Sequence, residues 1–334
     1  MITVGVVGAG YWGKNLVRTF ASLENSNLKY IVDSSPEILE SHADYTDVIR
    51  TQDYQELMSD PEVDAVAIAT PPVTHHKVAM AALEAGKHVF VEKPMTLDVG
   101  EAKELVDCAR KKNLKLMVGH LLLYHPCVDA LKDIISRGDL GDVLYLYSQR
   151  LNLGKVRSDE NALQSLAPHD ISVALHMIDD TPVSVSAYGQ GYVQDGVEDV
   201  VFLNIRFSNG QIAHVHVSWL DPHKVRRLTV VGASKMAVFD DMEPQEKIRI
   251  YDKGVDKNDN YESYSDYLTL RNGSVSIPEI VMHEPLKCEC DHFIDSIIND
   301  TTPLSDGNNG LIVTQTLDAA MRSLKNGGEP VELS

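Results

Sequence analysis

Apolar positions along the first 120 residues follow two alternating rhythms. Thr3–Val7, Leu28–Val32, Ala65–Ala69, His88–Val91 and Leu114–Val118 are short, nearly unbroken aliphatic runs with little polar alternation. Such runs fit strands buried on both faces of a parallel sheet. Between them, Asn15–Leu23, Pro36–Ser41, His75–Ala85 and Leu97–Lys112 carry the three-to-four spacing of amphipathic helices. Thr74 stands where a helix cap is expected and Gly86 where a C-terminal glycine belongs. Strand–helix alternation of this kind predicts βαβ units in a doubly wound sheet.

The pattern changes after Gly141. Val143–Arg150, Val183–Tyr192, Val200–Phe207, Gln211–Trp219, Arg226–Val231 and Met236–Asp240 read as longer strands, with Ser208-Asn209-Gly210 as a hairpin turn. Ala213, Val215, Val217 and Trp219 fall on one face of their strand; Ile212, His214, His216 and Ser218 fall on the other. A mostly antiparallel open sheet with one packed face is expected. Asp252–Asp266 reads as a polar loop, and helices return at Pro285–Asn299 and Gly310–Lys325. The fold class is therefore α/β: a dinucleotide-type domain over residues 1–120, then an α+β domain over 121–334. The last helices are expected to pack back towards the first domain.

Composition narrows the function classes. Lys and Arg number 30 against 49 for Asp and Glu, a formal charge of −19 that disfavours nucleic acid and anionic membrane. No apolar run is long enough for a membrane span, and no basic-then-apolar leader precedes Ile2. Cys108, Cys127, Cys288 and Cys290 fit no zinc framework and read as reduced thiols, which points to a cytoplasmic protein without a metal.

Candidate chemistry starts at Gly8-Ala9-Gly10-Tyr11-Trp12-Gly13. The motif follows a predicted strand and opens a helix, and Asp33 ends the next strand, as a Rossmann fingerprint requires. Gly8 serves the tight turn, Gly10 the approach of a pyrophosphate, and Gly13 the close packing of helix on strand. The helix N-terminus supplies positive potential. Tyr11, Trp12 and Ser34 belong to the same cofactor site. Asp33 accepts ribose hydroxyls and repels a 2′-phosphate, and neither Ser34 nor Ser35 offers an arginine, so NAD is favoured over NADP. Glu92-Lys93-Pro94 ends the fourth predicted strand, at the sheet edge where such folds bind ligands, and Thr70-Pro71-Pro72 ends the strand beside it.

Together with His75, the Ala82–Val89 segment, Ala167-Pro168-His169-Asp170, Glu284-Pro285-Leu286, Phe293, Pro303 and Asp306-Gly307, these motifs resemble the glucose–fructose oxidoreductase, inositol dehydrogenase and MocA family (Gfo/Idh/MocA) over nearly the whole chain. The resemblance implies hydride transfer between a nicotinamide cofactor and a secondary alcohol carbon of a sugar or cyclitol. It places Lys93 and His169 at the reacting hydroxyl, Glu92 at the nicotinamide ribose, and Thr70, Pro71 and His75 along the cofactor cleft. Either Lys93 or His169 takes the proton. It also implies that the domain over 121–334 binds substrate and mediates oligomerisation, with its open sheet forming a homodimer or homotetramer.

Two departures bear on substrate. Many relatives carry aspartate four residues before the histidine, where this chain has Ser165, and Asp170 is a candidate to replace it. Leu121, Leu122 and Leu123 stand where relatives show polar and cationic residues, leaving Tyr124 as a substrate contact or a core aromatic. Arg150–Asn161 is rich in both charges, and Lys155 and Arg157 can clamp a pyrophosphate. It is similar to the corresponding segment of members acting on nucleotide-linked amino sugars at C3. The reading is an NAD-dependent oxidoreductase acting at C3 of a UDP-N-acetylhexosamine-type sugar. A free polyol dehydrogenase and a non-catalytic dinucleotide-binding regulator are the alternatives.

Overall fold

The computed structural model describes residues 1–154, 157, 160–257 and 268–333. They form two compact units, one from residues 1–125 and 283–315, the other from residues 126–282 and 316–334.

The first unit holds six parallel strands: β1 (Ile2–Val7), β2 (Ser26–Val32), β3 (Ile49–Thr51), β4 (Ala65–Ile68), β5 (His88–Glu92) and β6 (Leu116–Gly119). Their order is β3-β2-β1-β4-β5-β6, so the sheet winds both ways from β1. All four residues of β4 are fully buried, as its unbroken apolar run requires. Helices α1 (Gly13–Ser22), α2 (Pro36–Glu40), α3 (Tyr54–Ser59), α4 (His75–Glu84) and α5 (Val99–Lys112) complete the crossovers. β3 and α3 are too short and too polar to stand out in the sequence pattern. Thr74 does not cap α4 with its side chain, because its hydroxyl is bonded instead to the Pro71 carbonyl and the Thr70 hydroxyl, each at 2.8 Å. Gly86 does take the left-handed conformation past the helix end, at φ 78°.

The second unit opens with α6 (Pro126–Ser136) and β7 (Val143–Leu151), then α7 (Ala162–Ile178). There follow β8 (Pro182–Gln190), β9 (Val200–Phe207), β10 (Ile212–Ser218), β11 (Val225–Gly232), β12 (Met236–Asp240), β13 (Ile248–Lys257) and β14 (Leu268–Ser276). With β15 (Val331–Glu332) they form a nine-stranded sheet, β14-β13-β12-β11-β7-β10-β9-β8-β15, antiparallel at every pairing except β7 with β10. Ala213, Val215, Val217 and Trp219 are buried as their alternation predicts, while Tyr145, Tyr188, Phe202 and Ile212 are exposed. The polar loop expected from Asp252 is corrected through Lys257. Those residues extend β13 and pair with β14, where backbone bonding outweighs their low strand propensity.

Helix α8 (Pro285–Ile298) belongs to the first unit, and α9 (Gly307–Lys325) begins there. α8 packs against α1 and β1. Its Phe293 ring meets Phe90 edge-on at 5.8 Å, and Phe20 meets Phe90 from α1 at 6.3 Å. All four cysteines are free thiols, and among the described residues no helix is long and apolar enough to cross a membrane.

Candidate functional site: the carboxyl ends of the parallel strands

The glycine turn sits at the carboxyl end of β1, and each glycine is required for a different reason. Gly8 has φ +86°, and a Cβ there would lie 2.7 Å from the backbone at Ala69 and Thr70. A Cβ at Gly13 would collide with the Gly8 carbonyl, so turn and helix touch. A Cβ at Gly10 would meet nothing within 4 Å, which leaves the backbone open to an approaching group. Trp12 precedes α1 without a side-chain cap bond, so the helix's positive end is left to an anion. Asp33 is held by two amides, Ala9 N–H to Oδ2 at 2.9 Å and Ser35 N–H to Oδ1 at 3.0 Å. Each oxygen keeps a further lone pair for a ribose hydroxyl. His42, which the sequence reading passed over, lies buried with Nε2 3.0 Å from the Ala9 carbonyl and steadies the same turn. An open glycine cradle, an uncapped helix and a preset carboxylate fit a dinucleotide.

Thr70 and Pro71 follow β4, and on the neighbouring strand Glu92 ends β5 and Lys93 follows it. His75 is buried, with Nδ1 2.8 Å from the Pro94 carbonyl and Nε2 2.8 Å from the Thr70 carbonyl. Burial outweighs the pull of the two carbonyls and holds its pKa below the usual histidine value, so the neutral ring has a single N–H to donate, to one of the two carbonyls. The Lys93–Pro94 peptide is cis. Glu92 accepts the Trp12 indole N–H at Oε1 and the Lys93 amide at Oε2, 3.2 Å away. Desolvation pushes its carboxyl up to about 7 against the pull of Trp12 and the Lys93 charge. A Cβ at Gly119 would come within 2.9 Å of Glu92 Oε2, so glycine at that register position makes room for the carboxyl. His120 follows directly. It is 1% exposed, and neither ring nitrogen has a hydrogen-bond partner among the described residues. Burial, with the Lys93 charge, takes it down to about 3. Nothing in the sequence distinguishes this lone histidine from any other.

Tyr124 is a core residue here, which corrects its reading as a substrate contact. Its hydroxyl lies 2.8 Å from Ser305 Oγ and accepts the Ser305 N–H at 3.3 Å, and burial raises its pKa. Ser305 in turn donates to the Val118 carbonyl at 2.7 Å.

In the second unit, Ser165, His169 and Asp170 all lie on α7. A capping box starts this helix: Asn161 accepts the Gln164 amide and the Gln164 side chain returns the bond. Pro168, inside the helix, has no amide to give the Gln164 carbonyl. Ser165 and His169 stand one turn apart on the same face. Asp170 is buried and paired with Arg150 of β7, Nε to Oδ2 at 2.5 Å, with a second contact at 3.5 Å. It therefore does not replace the missing aspartate, because both its oxygens are committed to a guanidinium that needs them. Arg157 is half exposed and pairs with Glu160 at 3.0 Å. Lys155 lies outside the described residues.

Comparison with known proteins agrees with this geometry. The profile "Oxidoreductase family, NAD-binding Rossmann fold" matches residues 2–120, and "GFO/IDH/MocA C-terminal domain" matches residues 128–238. A UDP-N-acetylglucosamine 3-dehydrogenase of Acidithiobacillus ferrooxidans is 31% identical over 251 residues, 75% of this chain and 77% of the relative. A crystal structure of that enzyme superposes with TM-score 0.84 at 26% identity, covering 98% of both chains. The scyllo-inositol 2-dehydrogenase (NAD(+)) of Bacillus subtilis is 26% identical over 295 residues, 85% of this chain and 81% of the relative. This chain is an oxidoreductase with an NAD(P)-type Rossmann domain, and it belongs to the Gfo/Idh/MocA family.

Proposed function

We propose that this protein is an NAD-dependent dehydrogenase acting at C3 of a nucleotide-linked N-acetylhexosamine. The observation that carries it is Lys93 directly after β5, following Glu92, which accepts the Trp12 indole N–H from a glycine turn built to receive a dinucleotide. Similarity to a named UDP-N-acetylglucosamine 3-dehydrogenase over three quarters of the chain supports the substrate class.

The Gly8–Gly13 turn and the α1 N-terminus would hold the pyrophosphate, Asp33 the adenosine ribose and Glu92 the nicotinamide ribose, with Thr70 and Pro71 beside them. Asp33 disfavours a 2′-phosphate, which selects NAD over NADP. When bound, the cofactor supplies the hydride acceptor. The chain's own task is the hydroxyl proton. Loss of hydride leaves positive character at the carbinol carbon, so that proton must leave to a placed group. A neutral His169 imidazole is suited to accept it, and the Lys93 ammonium is suited to stabilise alkoxide character on the oxygen. Ser165, one turn before His169, puts a neutral hydroxyl on that face where many relatives carry an aspartate.

The test is nicotinamide absorbance with NAD across UDP-sugars and free polyols. A rise with UDP-N-acetylhexosamines is the expected result; a rise with inositols alone would replace the substrate class. The Arg157–Glu160 pair favours that second reading, since a paired arginine is less available to a pyrophosphate. The exposed aromatics of the nine-stranded sheet support a homodimer or homotetramer, and a monomer mass in solution scattering would remove that part of the reading.

A further inference from the structure

Glu289 has no part in the chemistry above, yet it is 0% exposed and neither carboxyl oxygen has a hydrogen-bond partner among the described residues. A buried ionised carboxylate without partners is far costlier than a neutral acid. Its position is specific. Phe293, one helical turn further along α8, packs against Phe90, and Glu289 and Phe293 share a helix face. Phe90 and Glu92 share a strand face, so Glu289 is brought towards the Glu92 end of β5. The two carboxyls interact electrostatically there.

We propose that Glu289 is a positioning residue of the cofactor cleft: it holds a proton next to Glu92, so that the two carboxyls carry one negative charge until a cationic nicotinamide ring beside Glu92 draws that proton off to solvent. The inference rests on the reading of Glu92 as a cofactor contact. Like charges in a desolvated site do not both ionise near neutrality. Burial and the Glu92 charge both raise the Glu289 pKa. The other ionisable groups around the pair do not replace its proton. Lys93 acts on Glu92 from the following residue, and Tyr124 and Cys290 are held neutral by burial. β1 has no titratable side chain, and from α1 Arg18 is engaged by Glu284 at 2.5 Å while Lys14 lies over the Tyr11 ring.

The first arm of the test needs no cofactor. In the unfolded chain a glutamate ionises near pH ~4.3, so a proton retained on folding lowers stability as pH rises above that value. Glu289→Gln keeps the shape and the neutral charge. It is expected to melt higher than the parent at pH 8, with the gap closing towards pH 4. A variant that melts lower at pH 8 overturns the inference. Should the variant not fold, the parent's infrared spectrum at pH 8 decides, and a missing protonated-carboxyl stretch overturns it. The second arm is calorimetry of NAD and NADH binding in buffers of different ionisation heat. The parent is expected to release more protons than Glu289→Gln with NAD, and neither protein to do so with neutral-ring NADH. Equal release from parent and variant overturns the role in the cleft and leaves a merely structural acid. Absence of any NAD binding overturns the functional reading and with it the role in the cleft; the melting arm then judges the retained proton alone.

Discussion

On the role proposed for Lys93, Lys93→Ala is expected to separate turnover from cofactor binding at a single side chain. An ammonium that stabilises developing charge on the substrate oxygen contributes to the transition state far more than to dinucleotide affinity. The expected result is a fall in kcat of at least about 100-fold, with NAD affinity changed little, read by absorbance and by fluorescence titration. Comparable losses in both would make Lys93 a cofactor ligand only. Asp170 tests the opposite category of residue. Its pair with Arg150 is buried on both sides, at 10% and 8% side-chain exposure. Asp170→Ala strands that guanidinium and is expected to cost about 3–5 kcal/mol in denaturant unfolding. Loss of activity at unchanged stability would instead return Asp170 to the substrate site.

At the level of elements, the sequence was most readable where local chemistry and tertiary need coincide. Unbroken apolar runs identify β1, β4 and β5 because strands buried on both faces leave no place for polar residues. The glycine motif is readable because its demands are steric and local. Gly10→Ala exploits this: the new methyl points into open space, so the fold is expected to melt like the parent while dinucleotide affinity drops at least about tenfold, roughly 1.4 kcal/mol. A large loss of melting temperature would mean that Gly10 is structural. The sequence was least readable where distant partners decide. Tyr124 reads locally as a substrate contact or a core aromatic, and it is Ser305, 181 positions away, that decides by bonding its hydroxyl. Asp170 looked available because nothing local announces Arg150. Glu289 did leave a trace, an acidic residue on the face of α8 that also carries Leu286 and Phe293.

At the scale of the whole molecule, pH acts through buried groups more than through the net charge of −19. His120 is pressed down to about 3 when folded and titrates near ~6.5 when unfolded. Its folded pKa is the lower one, so the unfolded state binds more protons on acidification. The stability it permits is complete above about pH 6.5 and declines as pH falls, by up to about 1.4 kcal/mol per pH unit. Glu92 and Glu289 have raised values and pull the other way, so the informative quantity is the difference between His120→Asn and the parent. That variant is expected to lose less stability than the parent between pH 6.5 and 4, measured by denaturant midpoints. Parallel curves would show that His120 does not stay neutral.

The first unit takes its chain from two separate stretches, and this gives its folding a timetable. A ribosome delivers residues 1–125 early, with the Phe90 ring and the Tyr124 hydroxyl still waiting for Phe293 and Ser305. The closing piece follows only after the whole of the second unit's sheet up to β14 has emerged. At synthesis rates of about 5–20 residues per second that interval is on the order of tens of seconds. A fragment ending at His125 is accordingly expected to bind a hydrophobic dye that the full chain excludes. During biosynthesis the dinucleotide cleft would then be among the last parts of the molecule to become firm, so the nascent chain would not capture cofactor before its second unit exists.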